Sequence, residues 1–285
     1  MKYKLSAFAD ESSNAFQGQI DALKRNGMEF LEIRNLDGKN VTELTTAEAR
    51  ALARILEDNG LKVWSIGSPI GKIKIGDDFA SHMDLYRHTL DLAGEFGAGN
   101  IRLFSFFMPK DKAPEEFRSQ VIDRMAAFVE AAGEYGVNAC HENEKGIYGE
   151  MAAECRELLD AFYGDHFKAI FDFANFVQAK QDTLEAYELL KDYIAYIHVK
   201  DAMWENGSVV PAGMGDGNVA VILKDLYAKG FEGFLSLEPH LFNFSGFAGL
   251  ERDKDAIAGG ETKVLSGAEA FALAHESLVK ILGEM

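Results

Sequence analysis

Cysteine is scarce in this sequence, and its two copies follow no pattern of disulfide pairing or metal binding. Cys140 and Cys155 are fifteen residues apart, and neither lies in a CxxC or CxxH context. Two isolated cysteines provide neither a disulfide framework nor a cysteine zinc site. The sequence therefore excludes a small disulfide-stapled scaffold and a structural zinc site built from thiolates.

Positive charge is scarce as well. The chain has 29 Lys and Arg against 46 Asp and Glu, which gives a formal net charge of −17. Binding to nucleic acid or to anionic membranes needs clustered Lys and Arg on the protein surface. We therefore expect neither nucleic acid nor a membrane among the partners of this protein.

Long apolar runs are also missing. No run approaches 18 apolar residues, and the first residues, MKYKLSAFADESSN, lack the apolar core of a signal peptide. We therefore expect a cytoplasmic protein without a membrane-spanning segment.

What the sequence contains is the composition of an ordinary globular protein. Hydrophobic residues make up 47% of the 285 residues and charged residues 26%, which excludes a disordered chain. The length fits either two small domains or one large α/β barrel.

Short β-branched or apolar runs alternate with longer amphipathic stretches along the whole chain. Several of the amphipathic stretches end at a glycine, as at Gly97 and Gly136, where a helix often needs a residue with positive φ. The periodicity predicts eight strands: 3–9, 30–36, 62–68, 100–106, 137–144, 167–173, 194–199 and 234–239.

Eight alternating strand–helix units predict a single (β/α)8 TIM barrel that spans residues 1–285. The competing fold, an open doubly wound sheet, usually has fewer units and a glycine-rich phosphate turn after its first strand. The turn FADESSN is not of that kind. A long loop is expected at about 241–265, after the eighth strand, and residues 242–249 in it are rich in aromatic side chains. That segment would form either a lid or a contact between copies of the chain, which leaves a homo-oligomer open.

The fifth to eighth predicted strands each end in a side chain that can bind a metal ion. Any one of these side chains could be an ordinary polar residue of the barrel rim, but four successive strands end in this way. Three carboxylates at close range repel one another unless a cation lies among them. Three oxygen donors and one imidazole suit one divalent ion, Mn²⁺, Mg²⁺, Co²⁺ or Zn²⁺. The candidate ligands are Glu142, Asp172, His198 and Glu238.

The segments around these four residues resemble the sugar isomerase/epimerase family, whose members have a xylose isomerase-like barrel. The matching motifs are Glu142-Asn-Glu-Lys-Gly146, Phe171-Asp172, His198-Val-Lys-Asp201 and Leu237-Glu238-Pro. The resemblance implies that all four candidate ligands hold one divalent metal. It also implies that Glu142 and Glu238 flank a small-molecule sugar substrate and act as the catalytic acid–base pair.

Elementary chemistry agrees with that implication. Removing a proton next to a carbonyl gives an enediolate, whose negative charge a nearby metal ion stabilises. Two carboxylates on opposite faces allow one to remove the proton and the other to return it, which inverts a stereocentre. Return of the proton to the neighbouring carbon gives aldose–ketose isomerisation instead.

The sequence departs from the ketose 3-epimerases at three positions that contact the sugar in that family. Asn175 stands where a substrate-binding His is expected, Trp204 where an Arg is expected, and Tyr148 where a Glu is expected. The metal half of the pattern is therefore intact, while specificity for a tagatose- or psicose-type sugar is in doubt.

Six residues are the candidates for contacts with the substrate. Lys200 shares the strand face of His198, with a salt bridge to a pocket carboxylate as the alternative role. For Arg34, an internal ion pair with Glu32 or Glu142 is the favoured alternative. Residues 211–217 resemble a hydroxypyruvate isomerase loop whose backbone amides approach the substrate, although a plain turn is the other interpretation. The six candidates are Lys200, Asn175, Arg34, Lys72, Trp204 and Glu144.

Three other functions remain as alternatives to an isomerase or epimerase. A lyase of the inosose dehydratase kind would use the same metal and base, with water as the leaving group. An endonuclease IV-like enzyme shares the barrel but needs many more histidines than the seven present and a basic surface. The remaining alternative is a catalytically silent binding protein.

Overall fold

The fold is built around one sheet of eight parallel strands. The computed structural model describes residues 3–164, 166–241 and 265–285. In chain order, the strands are β1 (Lys4–Ala7), β2 (Phe30–Ile33), β3 (Lys62–Ile66), β4 (Asn100–Leu103), β5 (Asn138–Glu142), β6 (Phe167–Asp172), β7 (Ile194–Val199) and β8 (Phe234–Leu237).

The strands follow one another around a barrel in chain order. From β2 to β8 each strand pairs in parallel with the next, and β8 pairs with β1 through the register Lys4 to Phe234. In the described part of the chain, β1 and β2 share no backbone ladder, so the sheet is closed except at this seam. The predicted (β/α)8 TIM barrel is confirmed.

Helices cover the outside of the sheet. Glycines end several of them as predicted, and Gly97 and Gly136 have φ values of 66° at the C-caps of the third and fourth helices. The unit after β6 contains two short helices in place of one. The helices are α1 (Phe16–Arg25), α2 (Thr46–Asp58), α3 (Phe79–Phe96), α4 (Arg118–Tyr135), α5 (Ala152–Phe162), α6 (Phe173–Gln178), α7 (Thr183–Leu190), α8 (Val219–Ala228) and α9 (Gly267–Gly283).

Two small hairpins at the ends of barrel strands were not predicted from the sequence. Asn35–Leu36 pairs with Lys39–Asn40 directly after β2, and Asp201–Ala202 pairs with Val209–Val210 after β7. Each strand is two residues long, too short to show a period-2 pattern.

The inside of the barrel is apolar at its amino-terminal end and polar at the other end. The indole of Trp64 stacks on the ring of Phe234 with 3.8 Å between ring centroids and meets Tyr196 edge-on. Phe30, Cys140 and Ile170 belong to the same apolar cluster. This plug closes the bottom of the barrel, so any chemistry must take place at the carboxyl ends of the strands.

The expected long loop at 241–265, with its aromatic segment 242–249, lies almost entirely outside the described residues. Within the described part of the chain, no helix is both long and apolar enough to cross a membrane.

A substitution in the turn after β3 can test how tightly the rim is packed. At Gly71, φ is +87°, and an added Cβ would lie 1.9 Å from the carbonyl oxygen of Phe104. We expect Gly71→Ala to lower the free energy of unfolding by at least ~2 kcal/mol, because a strained backbone and a clash with main chain act together. The measurement is urea denaturation.

Gly94→Ala in α3 is the matched control, since a Cβ there meets nothing within 4 Å. It should stabilise the protein by about 0.5 kcal/mol, the usual gain of Ala over Gly in a helix. Equal stability of the two variants would contradict the packing described for the turn.

Candidate active site

Side chains from six strands, or from the residues that directly follow them, meet inside the carboxyl-terminal end of the barrel. Alternation along each strand sends every second side chain inward. Glu32 and Arg34, at the end of β2, both point inward. All members are at most 4% exposed: Glu32, Arg34, Arg102, Glu142, Asp172, His198, Lys200 and Glu238.

The four predicted metal ligands converge on one point. Glu142, Asp172, His198 and Glu238 each offer one ligand atom, and these atoms lie within 4.8 Å of one another. His198 Nδ1 is 2.8 Å from Glu142 Oε1 and 3.7 Å from Glu238 Oε2. Strands that are far apart in the sequence therefore bring their terminal side chains into direct contact.

Glu32 determines how the His198 ring is oriented. Its Oε2 lies 3.0 Å from His198 Nε2 and accepts a hydrogen bond from Ser236 Oγ, while Oε1 accepts one from Tyr196. A carboxylate on the far nitrogen of an imidazole fixes the tautomer and raises the basicity of the other nitrogen. Glu32 thus leaves Nδ1 of His198 facing the three carboxylates.

Asp172 is fixed by backbone contacts at the start of α6. Its Oδ1 accepts the Asn175 N–H at 2.8 Å, and Asn143 bonds both the backbone N–H and the carbonyl of Asp172. Its Oδ2 is buried and forms an ion pair with Lys200 Nζ at 3.1 Å. One oxygen of Asp172 lies within 4.8 Å of the ligand atoms of the other three residues.

Glu142 and Glu238 each divide their two oxygens between different partners. Arg102 Nη1 lies 3.2 Å from Glu142 Oε2 and 3.6 Å from Glu238 Oε1, and Arg34 Nη1 lies 3.3 Å from Glu238 Oε1. Both guanidinium groups lie over the ring of Phe8, at 4.5 and 4.9 Å from its centroid. The arginines therefore hold the outer oxygens, and the inner oxygens remain directed at His198.

The donor set fits a divalent metal ion. Ligand atoms 2.0–2.2 Å from one ion lie roughly 3–4 Å apart, as His198 Nδ1 does from the inner oxygens of both glutamates. Three carboxylates and one imidazole match the hard and borderline divalent ions. A carboxylate oxygen of Asp172 supplies the fourth donor.

Electrostatics in this cluster favour positive charge among the carboxylates. Burial raises the pKa of Asp172 to about 7, with Glu238 and Glu142 adding to the effect against the opposing charge of Lys200. Burial would lower the pKa of His198, but Glu142 and Glu32 raise it to about 10. Burial also works against ionisation of Glu142, yet His198 and Arg102 lower its pKa to about 2.

The candidate substrate-binding residues occupy three kinds of position. Lys72 Nζ pairs with Glu144 Oε2 at 2.7 Å, both largely buried. Asn175 donates from Nδ2 to the Asn143 carbonyl at 2.8 Å and lies 3.4 Å from Glu142 Oε1. Trp204 is 42% exposed on the loop after β7 and is not brought into the buried cluster.

The glycine-rich loop at 211–217 uses its backbone amides within the protein. The amides of Gly213, Gly215 and Gly217 donate to the Asp201 carboxylate at 2.9, 3.0 and 2.9 Å. Because a buried carboxylate accepts these amides, the structure favours the interpretation of this loop as a plain turn.

Comparison with known proteins agrees with the fold. The sequence profile of the family described as xylose isomerase-like TIM barrel matches residues 20–260. The chain belongs to this family. No curated protein matches the chain at the level of sequence.

Solved structures similar to this chain include proteins of the same barrel type. The IOLI protein with a bound zinc atom is 15% identical, with a TM-score of 0.75 over 100% of this chain and 99% of the other. The probable 3-DHS dehydratase AsbF of Bacillus anthracis is 18% identical (TM-score 0.72, coverage 98% and 99%). The 3-keto-D-glucoside 4-epimerase YcjR of E. coli is 15% identical (TM-score 0.69, coverage 99% and 99%).

Within this xylose isomerase-like barrel, several site residues were missed or misassigned from the sequence. Arg34 forms a buried ion pair, but with Asp10, Glu11 and Glu238, while Glu32 contacts His198 instead. Arg102, whose place near the end of the fourth predicted strand suggested contact with a phosphate or carboxylate of the ligand, pairs with Glu142 and Glu238. The one signal for Asp10 and Glu11 was their position in the turn FADESSN, shortly after β1.

Glu32→Gln tests the orientation of His198. The amide cannot hold the imidazole as a carboxylate does, so we expect the affinity for Mn²⁺ or Zn²⁺ to fall by about 10–100-fold, measured by isothermal titration calorimetry. Ser236→Ala is the control, because it removes a hydrogen bond to the same Glu32 oxygen without touching His198. A similar loss in both variants would refute the orienting role.

Asp172→Asn tests the cost of burying this charge. Because the pKa of Asp172 is raised to about 7 in the fold, stability falls as the pH rises from about 4 to 7. In chelator-treated protein at pH 8, the substitution should raise Tm by about 2–4 °C, with a smaller gain at pH 5. It should also abolish stabilisation by added metal.

Glu48→Gln is the control for this measurement, and it should lower Tm where Asp172→Asn raises it. The backbone and side chain of Thr45 and the ammonium of Lys39 lower the pKa of Glu48 to about 2, so its carboxylate stabilises the fold above that pH. Thermal scans of Asp172→Asn that show no gain at pH 8 would contradict the electrostatic description of the cluster.

Proposed function

We propose that the protein is a divalent-metal-dependent isomerase or epimerase that acts on a small sugar or a sugar-like polyol. The observation that carries the proposal is the convergence of inner oxygens from Glu142 and Glu238 on His198 Nδ1, with an oxygen of Asp172 within 4.8 Å of them. The two glutamates reach this point from β5 and β8, which lie on different sides of the barrel.

The metal half of the proposal assigns Glu142, Asp172, His198 and Glu238 as ligands of one ion, Mn²⁺, Mg²⁺, Co²⁺ or Zn²⁺. When bound, the ion would supply positive charge that stabilises an enediolate next to the substrate carbonyl. The zinc atom described for the structurally similar IOLI protein supports a divalent ion.

The chemical half assigns the proton transfers to the two catalytic glutamates. Glu238 removes a proton from the carbon next to the carbonyl, and Glu142 returns one from the other face or to the neighbouring carbon. Arg34 and Arg102 hold the outer oxygens of these carboxylates.

Contacts to the substrate are assigned to residues around the mouth of the cluster. Lys200 and the Lys72–Glu144 pair offer charged hydrogen-bonding groups, and Trp204, on the exposed loop after β7, offers an apolar face for a sugar ring. Asn175 lies against Glu142 and would contact a hydroxyl group of the substrate beside it. A cytoplasmic location and a small-molecule partner complete the proposal, without nucleic acid.

A dehydratase is the second candidate, and the position of Lys200 favours it. Its Nζ lies 3.1 Å from both Glu238 Oε2 and Asp172 Oδ2, where an ammonium group could protonate a leaving hydroxyl. The structurally similar protein AsbF is described as a probable dehydratase. Glu238 would remove the same proton in both reactions, and only the fate of the hydroxyl differs.

One experiment separates the two candidates. The Mn²⁺-loaded protein is incubated in D₂O with a panel of ketoses, sugar phosphates and inososes. Deuterium incorporated next to the carbonyl without loss of water supports an isomerase or epimerase, whereas an absorbing dehydrated product supports a lyase. Neither product from any member of the panel counts against both candidates.

Glu238→Gln tests the assignment of the base. We expect exchange to fall by at least ~100-fold, because an amide cannot accept the proton. The folded state is checked by circular dichroism. Glu205→Gln, on the exposed loop after β7, is the matched control and should exchange at the normal rate. Normal exchange in Glu238→Gln would refute the assignment of Glu238 as the base.

A further inference from the structure

The seam between β1 and β2 is where the barrel lacks a backbone ladder in the described part of the chain. Side chains bridge it at the carboxyl-terminal rim. Phe16 N–H donates to Asp37 Oδ1 at 2.8 Å, Gln19 Nε2 donates to the Asn35 carbonyl at 3.0 Å, and Asn35 Nδ2 donates to Asp10 Oδ2 at 2.6 Å. Closure of the rim at this seam thus depends on side-chain bonds.

Arg34 forms the most buried of these bridges and continues into the active site. Its Nε and Nη2 donate to the two oxygens of Asp10 at 2.8 and 3.1 Å, and Nη2 also reaches Glu11 Oε1 at 3.2 Å. On its other side, Nη1 lies 3.3 Å from Glu238 Oε1. All four side chains are at most 4% exposed.

Glu11 connects the same group to the end of β8 by a second route. Its Oε2 accepts the backbone N–H of His240 at 2.6 Å, and the φ of His240 is 46°, in the left-handed region. The His240 ring lies 3.5 Å from Glu11 Oε1 and 3.4 Å from Glu238 Oε1. On the other side of Glu238, the Phe8 N–H donates to the Leu237 carbonyl at 2.9 Å, so groups that follow β1 bind the chain on both sides of Glu238.

We propose that Asp10, Glu11 and Arg34 form an ionic clamp that closes the barrel seam and positions Glu238. The clamp rests on the proposed function in one respect, since it takes Glu238 as a metal ligand and proton carrier. Asp10 and Glu11 are positioning residues that act through Arg34 and the backbone of His240.

Asp10 can position Glu238 through Arg34 because of the shape of the guanidinium group. A bidentate carboxylate fixes both the position and the plane of an arginine fork, which a single charge contact does not. With that plane fixed by Asp10, Nη1 holds Oε1 of Glu238 and leaves Oε2 directed at His198. A displacement of about 1 Å at a catalytic group is enough to cost a large factor in rate.

The clamp makes a different prediction from direct substrate binding by Arg34. A residue that only binds substrate changes KM and leaves metal affinity unchanged. A residue that positions Glu238 changes metal affinity without any substrate present and lowers kcat with little change in KM.

The test compares three variants of the full chain. Asp10→Asn removes the charge that fixes Arg34 and keeps the side-chain shape, and Arg34→Lys keeps the charge but loses the bidentate fork. Asp37→Asn is the matched control, because Asp37 crosses the same seam through the Phe16 amide without contacting the clamp. Its φ of 49° is one that Asn also adopts readily.

Two measurements are made on each variant. Calorimetric titration with Mn²⁺ should show an affinity about 10-fold lower in Asp10→Asn and Arg34→Lys, and within twofold of wild type in Asp37→Asn. Hydrogen–deuterium exchange by mass spectrometry should show faster amide exchange at 234–241 in the first two variants only. If Asp10→Asn fails to fold, Arg34→Lys decides by the same outcomes.

The outcomes separate the clamp from the proposed function. A folded Asp10→Asn or Arg34→Lys variant with wild-type Mn²⁺ affinity and unchanged exchange at 234–241 overturns the clamp. Absence of Mn²⁺ binding in the wild-type protein overturns the proposed metal site, and the exchange measurement then still decides the clamp.

Discussion

Repulsion among buried carboxylates is the constraint on which the rest of this site depends. Glu142, Asp172 and Glu238 meet at the barrel mouth, with Glu32 one contact away through His198. In a medium of low polarity such charges are tolerated only with cations nearby. The chain supplies three buried cations, and the donor set has the shape to accept a divalent ion. The partners within the chain are Arg34, Arg102 and Lys200.

The barrel can hold these charged side chains because it separates them from the apolar parts of the structure. The plug around Trp64 and Phe234 fills the amino-terminal end, so the polar side chains are confined to one layer at the other end. Phe8 lies between the layers, with both arginines over its ring and His198 against its edge. The ring of Phe8 therefore borders the site on the side of the apolar plug, and the polar groups of the site face the rim.

The division of oxygens between partners suits Glu142 and Glu238 to the proton transfers proposed for them. Each carboxylate contacts an arginine through one oxygen and faces His198 with the other. Lys200 forms an ion pair with the inner oxygen of Glu238 and would be the proton donor in the proposed dehydration.

The sequence by itself determined the eight strands, the helix-ending glycines and the four candidate metal ligands. The strands and the glycines follow from local periodicity, and the ligands follow from their positions near the carboxyl ends of strands. The carboxyl ends of parallel strands must meet at one rim. The tertiary structure alone decided the hairpins after β2 and β7, the contact of Glu32 with His198, and the partners of Arg34. These depend on how the barrel closes and on how far each inward side chain reaches. Closure brings Asp10 against Arg34 across a seam that no local pattern marks, because the two strands that border it form no backbone ladder.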